Sequence, residues 1–239
     1  AQTDFKRLIA FSSVAHMGFV MLGISTLTEF GINAAVFGMV AHGLITGMLF
    51  FIAGSIKHRY HTLEIKRLSG MLIQMPKMGW ILGFSAMASL GLPGLAGFWG
   101  EFPAILSAYN PNFGLDVTLY RTLMVIAALG TVLAAGYLLW LYQRTAFGEP
   151  NPEFVDDGSH GTTAHSLSAA VNEGAEGSAG DSADHHDDVE IYDVTPIEWI
   201  AWTPFLVAIV VFGVYPQLMF EVMDPAVTQL VEQIGAGIP

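Results

Sequence analysis

The stretch GLPGLAGFWGEF, residues 91–102, lies deep in an apolar part of the chain, yet it contains a proline, several glycines and an acidic residue. A straight helix over Lys77–Tyr109 would measure roughly 50 Å, which is too long for a hydrocarbon core of about 30 Å. Pro93 removes a backbone donor and clashes with the carbonyl group four residues earlier. The stretch therefore predicts two half-helices, residues 78–90 and 98–109, with a break that contains Gly91, Pro93, Gly94, Gly97 and Gly100.

The rest of the chain repeats the apolar pattern. Each run without Asp, Glu, Lys or Arg is longer than the roughly 18 residues that indicate a transmembrane helix. The five runs are 8–28, 30–56, 78–100, 122–143 and 199–220. One such run is compatible with a buried core helix, but five in a chain that is 53% hydrophobic favour the membrane. The predicted fold is all-α, a polytopic transmembrane helix bundle of about five spans whose third is the discontinuous (broken) helix.

Boundary signals place the other four helices. The first is expected to start near Thr3 or Asp4, either of which can cap it, and to end near Ser25. The others are expected at 33–58, 119–145 and 196–214. The predicted organisation is four spans in 1–148, an acidic loop at 149–195, and a C-terminal transmembrane helix with an external tail at 196–239.

The net charge of −12 is concentrated in one segment, because 12 of the 21 acidic residues lie between Glu149 and Asp193. This segment has few large apolar side chains, so it cannot bury enough surface to offset the entropy of ordering. We therefore predict that the loop is disordered, with at most one turn at HSLSAAV (165–171).

Basic residues indicate the orientation in the membrane. If the five spans alternate in direction, Arg121 lies on one side and the other eight basic residues share the opposite side: Lys6, Arg7, Lys57, Arg59, Lys66, Arg67, Lys77 and Arg144. Lys and Arg are enriched in cytoplasmic loops. Loops 57–77 and 145–195 are therefore predicted to be cytoplasmic, with the C-terminus outside.

Three ionisable residues lie inside the predicted spans: His16, His42 and Glu101. A charge at bilayer depth is costly, so such residues face the bundle interior, pair with one another or contact water. A lone membrane histidine is often neutral and hydrogen-bonded to a neighbouring helix, and an acid beside a break can simply cap free backbone donors. Together, two histidines and an acid at a broken helix are typical of proton relays and ion sites.

Pro103 suggests a specific position for Glu101. Proline suits the first turn of a helix, so a second half-helix starting near Phe102 would place Glu101 at its positive end. Burial opposes this stabilisation of the carboxylate, and the balance would leave Glu101 ready to exchange protons. Lys6, near the start of the first helix, either extends to the interface or reaches polar groups inside.

Several other chemistries are disfavoured. The chain has no cysteine, which excludes disulfides and Cys-ligated clusters, and no phosphate loop or dinucleotide motif occurs. The run His185-His186-Asp187-Asp188 contains metal-ligand residue types, but adjacent residues in a flexible loop lack a preset geometry. The basic run KHRYH (57–61) fits the cytoplasmic end of a helix better than a nucleotide site. We expect no cofactor, metal or nucleic acid on this chain.

Three motifs resemble one family closely: TDFKRLIAFSSVAHMGF (3–19), FGMVAHGLITGMLFFIAG (37–54) and SLGLPGLAGFWGEFPAIL (89–106). They are similar to motifs of the antiporter-like membrane subunits of respiratory complex I, NADH-quinone oxidoreductase. Among these, the chain M or subunit 4 branch is the best match, because Glu101 stands where that branch has a glutamate. The resemblance covers residues 1 to about 148 and, more loosely, the last helix.

The resemblance implies proton translocation driven by quinone reduction elsewhere in a complex. Glu101 would be the outlet-side proton carrier, His16 and His42 would belong to a central polar axis, and Lys6 would match a basic residue of less certain role. NADH, FMN, iron–sulfur clusters and quinone would be held by other subunits. The expected partners are other membrane subunits of complex I, the lipid bilayer, protons and internal water, in the plasma membrane of a prokaryote.

Alternatives remain open. The same superfamily includes subunits of multi-subunit sodium/proton antiporters and membrane-bound hydrogenases, and a non-conducting membrane scaffold is a further possibility. Members of the family have about fourteen helices, so the resemblance also implies that this chain is the C-terminal half, either a fragment or one part of a split subunit. The glutamate and lysines expected on the earlier helices are not in this chain, which leaves a complete proton path undefined.

Overall fold

The computed structural model describes residues 2–112, 114–155 and 191–237. Its regular elements in these residues are helices: α1 (Phe5–Ser25), α2 (Glu29–Tyr60), α3 (Met71–Gln74), α4 (Pro76–Ser89), α5 (Ala96–Ser107), α6 (Val117–Ala146), α7 (Pro196–Val214), α8 (Gln217–Gly237) and a 3₁₀ turn (Pro152–Phe154). Four of them, α1, α2, α6 and α7, are long and apolar enough to cross a membrane. With α4 and α5 as a broken fifth span, the predicted polytopic helical bundle is confirmed.

Side-chain caps set the ends of α1 and α2. The Asp4 carboxylate accepts the Arg7 backbone N–H at 2.8 Å, as expected for a cap at the predicted position. Thr28 accepts the N–H of Gly31 at 3.0 Å, so α2 begins at Glu29, four residues before the predicted start at residue 33. The sequence prediction missed this start because it did not consider Thr28 as a cap.

The break in the third span is present. Helix α4 ends at Ser89, and Leu92–Leu95 form a turn in which the Leu95 N–H donates to the Leu92 carbonyl at 3.0 Å. Pro93 occupies the second position of this turn and Gly94, at φ 95°, the third, which is the residue pattern of a type II turn. Helix α5 starts at Ala96, two residues earlier than predicted. Gly91, Pro93 and Gly94 therefore form the break, whereas Gly97 and Gly100 lie inside α5, contrary to prediction.

The C-terminal region contains two helices. Helix α7 has the predicted bounds and ends before Tyr215 and Pro216. The predicted external tail instead forms α8, which packs against the start of α2. There Asn33 donates to the Asp224 carboxylate at 2.8 Å, and the Phe37 and Phe220 rings lie 5.2 Å apart.

One end of the bundle collects the segments that carry the eight basic residues, and we call it the basic end. There the Phe5 N–H donates to the Leu63 carbonyl at 2.9 Å, and Asn151 donates to the Arg67 carbonyl at 3.0 Å. Residues 149–155 and 191–195, predicted to be disordered, pack against this end. The possible turn at 165–171 and the His185–Asp188 run lie outside the described residues. At the opposite end, Arg121 donates to the Tyr109 carbonyl at 3.1 Å.

A buried ion pair joins α2 to α7 at the basic end. Two nitrogens of Arg59, a residue only 2% exposed, donate to the two carboxylate oxygens of Glu198 at 2.9 and 2.7 Å. Arg59 also donates to the Tyr192 carbonyl at 2.7 Å, and its guanidinium lies 4.3 Å from the centre of that ring. We call Arg59, Glu198, Ser55 and Tyr192 the Arg59 clamp.

Candidate functional site

Close helix packing builds the site at the middle of the bundle. A Cβ atom on Gly100 of α5 would collide with the Cα atom of Gly38 on α2, so the two backbones touch. Trp99 fixes the other side of α5 by donating to the Gly213 carbonyl of α7 at 2.8 Å. Because α1 also packs against α2 and α5, side chains from three helices converge here.

Glu101 and His16 are in direct contact. The Oε1 atom of Glu101 lies 2.6 Å from Nδ1 of His16, and their side chains are 16% and 5% exposed. The second ring nitrogen of His16, Nε2, lies 3.3 Å from the Ser89 hydroxyl at the end of α4. A carboxylate and an imidazole at this distance can share or exchange one proton.

His42 extends the pair toward α2. Its ring centre lies 5.2 Å from that of His16, with the two planes inclined by 37°. The hydroxyl of Thr46, one turn further along α2, lies 3.2 Å from both ring nitrogens of His42. The structure thus brings together three of the four ionisable residues predicted for the site, and we call Glu101, His16 and His42 the central cluster.

The central cluster lines a small cavity. Its volume is about 20 Å³, and all three cluster residues and Ser89 line it. A space of at least about 10–15 Å³ with polar partners can hold one water molecule. A single water here would contact both histidines and the carboxylate.

The position of Glu101 differs from the prediction. Helix α5 begins at Ala96, so Glu101 is in its second turn, and Pro103 lies inside the helix instead of in the first turn. Only the first four N–H groups of a helix lack an intrahelical partner. Glu101 is the sixth residue of α5, so the predicted position at the positive end of this helix is wrong. Its Oε2 atom faces Gly91 of the break, where a Cβ would lie 3.1 Å away and where the φ of 68° disfavours other residues.

Lys6 does not join the cluster. It lies in the first turn of α1 with an exposed side chain. The ten residues that separate it from His16 correspond to about 15 Å along the helix. Its placement fits a residue at the basic end of the bundle.

Four polar neighbours of the cluster extend the predicted site. Ser12 and Thr46 each stand four residues from a histidine, so helical periodicity alone could identify them. Ser89 and Tyr137 come from other helices and carry no sequence signal that connects them to His16. No group of three or more His, Cys, Asp or Glu side chains suited to a metal occurs in the described part of the chain.

A bundle of spanning helices in which a broken helix presents a carboxylate to buried histidines is typical of membrane proteins that translocate protons or ions. The family model described as the transmembrane region of the NADH:quinone oxidoreductase/Mrp antiporter family matches residues 1–137, more than half of the chain. The chain therefore belongs to this family.

Individual relatives agree with this assignment. The chain is 35% identical over 238 residues to NADH-quinone oxidoreductase subunit M of Rhodobacter capsulatus, covering all of this chain and 38% of that protein. A chain of respiratory complex I from Thermus thermophilus superposes with a TM-score of 0.72 at 27% identity, over 97% of this chain and 40% of that one. A chain of the Mrp complex from Dietzia sp. DQ12-45-1b superposes with a TM-score of 0.71 at 22% identity, over 98% of this chain and 44% of that one. This similarity shows a shared fold. This chain thus spans less than half of each relative.

Proposed function

We propose that this chain is part of a proton-translocating membrane subunit of an NADH:quinone oxidoreductase, coupled to quinone reduction elsewhere in the complex. The 2.6 Å contact between Glu101 and His16 beside the broken helix carries the proposal, because a proton donor and an acceptor are in contact between the helices of the bundle. The similarity to subunit M of Rhodobacter capsulatus supports the choice of complex.

The geometry suggests how protons would move. A proton on His16 Nδ1 passes to Glu101 Oε1 across the short contact, and Ser89 holds the opposite ring nitrogen. His42 exchanges protons with His16 through one water in the cavity that both line. A change of charge nearby would shift the proton between the carboxylate and the imidazoles, since low-dielectric surroundings strengthen such effects.

The setting of this chain is part of the proposal. Other membrane subunits of the complex would surround it, and NADH, FMN, iron–sulfur clusters and quinone would be bound by other chains. The chain would thereby belong to an oxidoreductase without carrying the redox reaction. The basic end would face the cytoplasm of a prokaryotic cell, with loops 57–77 and 145–195 on that side and the C-terminus outside.

A subunit of a sodium/proton antiporter is the second candidate. The matching family model favours it, because that family includes Mrp antiporter subunits as well as those of NADH:quinone oxidoreductase. Sodium-dependent proton flux in the absence of any dehydrogenase partner would select this candidate. A membrane-bound hydrogenase subunit would instead couple to a hydrogenase reaction, and a non-conducting scaffold would tolerate loss of the cluster.

The test uses the complete complex reconstituted in vesicles with an interior pH dye. In Glu101→Gln, we expect NADH-driven proton uptake through this chain to slow at least about tenfold, because a positioned proton-transfer group contributes about 100-fold or more. Either fewer protons are taken up per NADH oxidised, or NADH oxidation slows together with proton uptake. Glu64→Gln, an exposed acid at the basic end, is the matched control. A Glu101→Gln complex with normal rate and normal proton count would refute the proposal.

A further inference from the structure

Two buried hydroxyls next to the central cluster have no hydrogen-bond partner. Within the described residues, only three buried side-chain polar atoms lack one, namely Ser12 Oγ, Tyr137 Oη and Asn33 Oδ1. Two of these three lie near each other, because Ser12 and Tyr137 line the same groove between α1 and α6. Buried unpaired hydroxyls are costly and rare, so a pair of them calls for a physical reason.

The pair adjoins the residues that would move protons. Ser12 lies one helical turn before His16 on the same face of α1 and is 3% exposed. Tyr137 lines the same groove from α6. Ser12 therefore belongs both to the α1–α6 groove and to the face of α1 that carries His16.

A groove leads from the basic end of the bundle to this pair. It has a volume of about 530 Å³ and lies between the N-terminal half of α1 and the C-terminal half of α6, lined by Gln2, Leu8, Phe11, Ser12, Gly136, Tyr137 and Trp140. Gly136 keeps it wide, since a Cβ at this position would meet no atom within 4 Å. Most of its lining is apolar, and Gln2, Ser12 and Tyr137 are the polar residues that water in the groove would contact.

We propose that Ser12 and Tyr137 form a hydroxyl relay that delivers protons from water in this groove to His16 and Glu101. Each hydroxyl can donate one hydrogen bond and accept others, so a proton arriving at one side is matched by a proton leaving from the other. Water bridging the two oxygens completes their hydrogen bonds and continues the chain. This inference rests on the proposed function and adds to it the path by which protons reach the central cluster.

Three substitutions test the relay in the complete complex, with NADH-driven proton uptake into vesicles as the measurement. Tyr137→Phe and Ser12→Ala each remove only a hydroxyl, and we expect uptake to slow about tenfold, less than for a fully positioned acid–base group because water can bridge the gap. Gly136→Leu fills the groove and is expected to slow uptake as much as the two hydroxyl variants do. Gly136→Ala adds less volume and is expected to have a smaller effect.

Controls separate a relay from a structural role. Tyr142→Phe removes a hydroxyl from the same helix, away from the cavity, and is expected to leave uptake unchanged. Ser12→Thr keeps the hydroxyl and is expected to recover most of what Ser12→Ala loses. The deuterium isotope effect on uptake should rise in Tyr137→Phe, because proton delivery becomes rate-limiting.

The outcomes distinguish this inference from the proposed function. If Glu101→Gln stops uptake while Tyr137→Phe and Ser12→Ala match the wild type, the relay is wrong and the proposed function stands. If Glu101→Gln has no effect, the proposed function fails, whatever the hydroxyl variants do. Equal losses in Tyr137→Phe and Tyr142→Phe would also overturn the relay.

Discussion

The central cluster and the Arg59 clamp both bury a carboxylate between helices, but they satisfy it differently. In the clamp, Glu198 accepts hydrogen bonds from Arg59, from the Ser55 hydroxyl at 2.5 Å and from the Thr195 backbone at 2.8 Å. In the cluster, one oxygen of Glu101 contacts His16, and the other faces the backbone of the break at Gly91. Both oxygens of Glu198 accept hydrogen bonds, whereas only one oxygen of Glu101 contacts a hydrogen-bonding side chain.

This difference indicates that the Arg59 clamp and the central cluster have different roles. Arginine stays protonated under all physiological conditions, so the clamp has one charge state and serves to hold α2 against α7. An imidazole can both bind and release a proton, and a carboxylate held by a single imidazole has no permanent cation beside it. The basic end is therefore fixed, whereas the middle of the bundle is suited to proton exchange.

The largest stability effect is expected from breaking the clamp. Arg59→Ala leaves the partly buried Glu198 without its cation, which costs up to about 3–5 kcal/mol of unfolding free energy. The loss can be measured by SDS titration of the purified chain in mixed micelles, followed by helical circular dichroism. Protein that remains folded should keep the contact between Glu101 and His16.

The double variant Arg59→Met with Glu198→Leu sharpens this comparison. Removing both charges leaves no unpaired group, and apolar replacements of similar size are often neutral. We expect the double variant to be more stable than Arg59→Ala alone. If the two variants lose the same free energy, the ion pair is not the source of the effect.

The next largest effect is expected at the contact between α2 and α5. Gly100→Ala forces the two backbones apart, and overpacking of this kind costs about 1–3 kcal/mol. The shift also moves Glu101, so proton uptake should fall with stability, unlike in the clamp variants. Gly18→Ala, where a Cβ meets nothing within 4 Å, is the control and should preserve both. Normal uptake in Gly100→Ala would contradict the role of this contact.

The sequence predicted the break and the central cluster from local rules. Pro93 followed by Gly94 favours a helix break, and ionisable residues within a span, here His16, His42 and Glu101, must face other protein or water. The same local rules misplace Glu101, because they assign Pro103 to the first turn of a helix, whereas it lies inside α5. Proline is tolerated inside a membrane helix when neighbouring groups satisfy the freed carbonyl, and that depends on tertiary packing.

Contacts between distant segments explain what the sequence could not show. Arg59 and Glu198 are separated by 139 positions, and no spacing rule joins them. Arg59 was therefore assigned to a solvated helix end, although the structure buries it. Tyr137 was overlooked for the same reason, since its relation to Ser12 exists only once α1 and α6 are packed together.

The smallest effect is expected at the start of α7. The Thr195 hydroxyl accepts the Glu198 N–H at 3.3 Å and also donates to its carboxylate at 3.1 Å, so the residue is both a helix cap and a neighbour of the clamp. Thr195→Ala should cost about 1 kcal/mol, the usual value for a lost cap, because Glu198 keeps Arg59. Thr195→Ser retains the hydroxyl and should cost less in the same SDS titration. A loss in Thr195→Ala as large as in Arg59→Ala would mean that the cap, and not the ion pair, holds α7 in place.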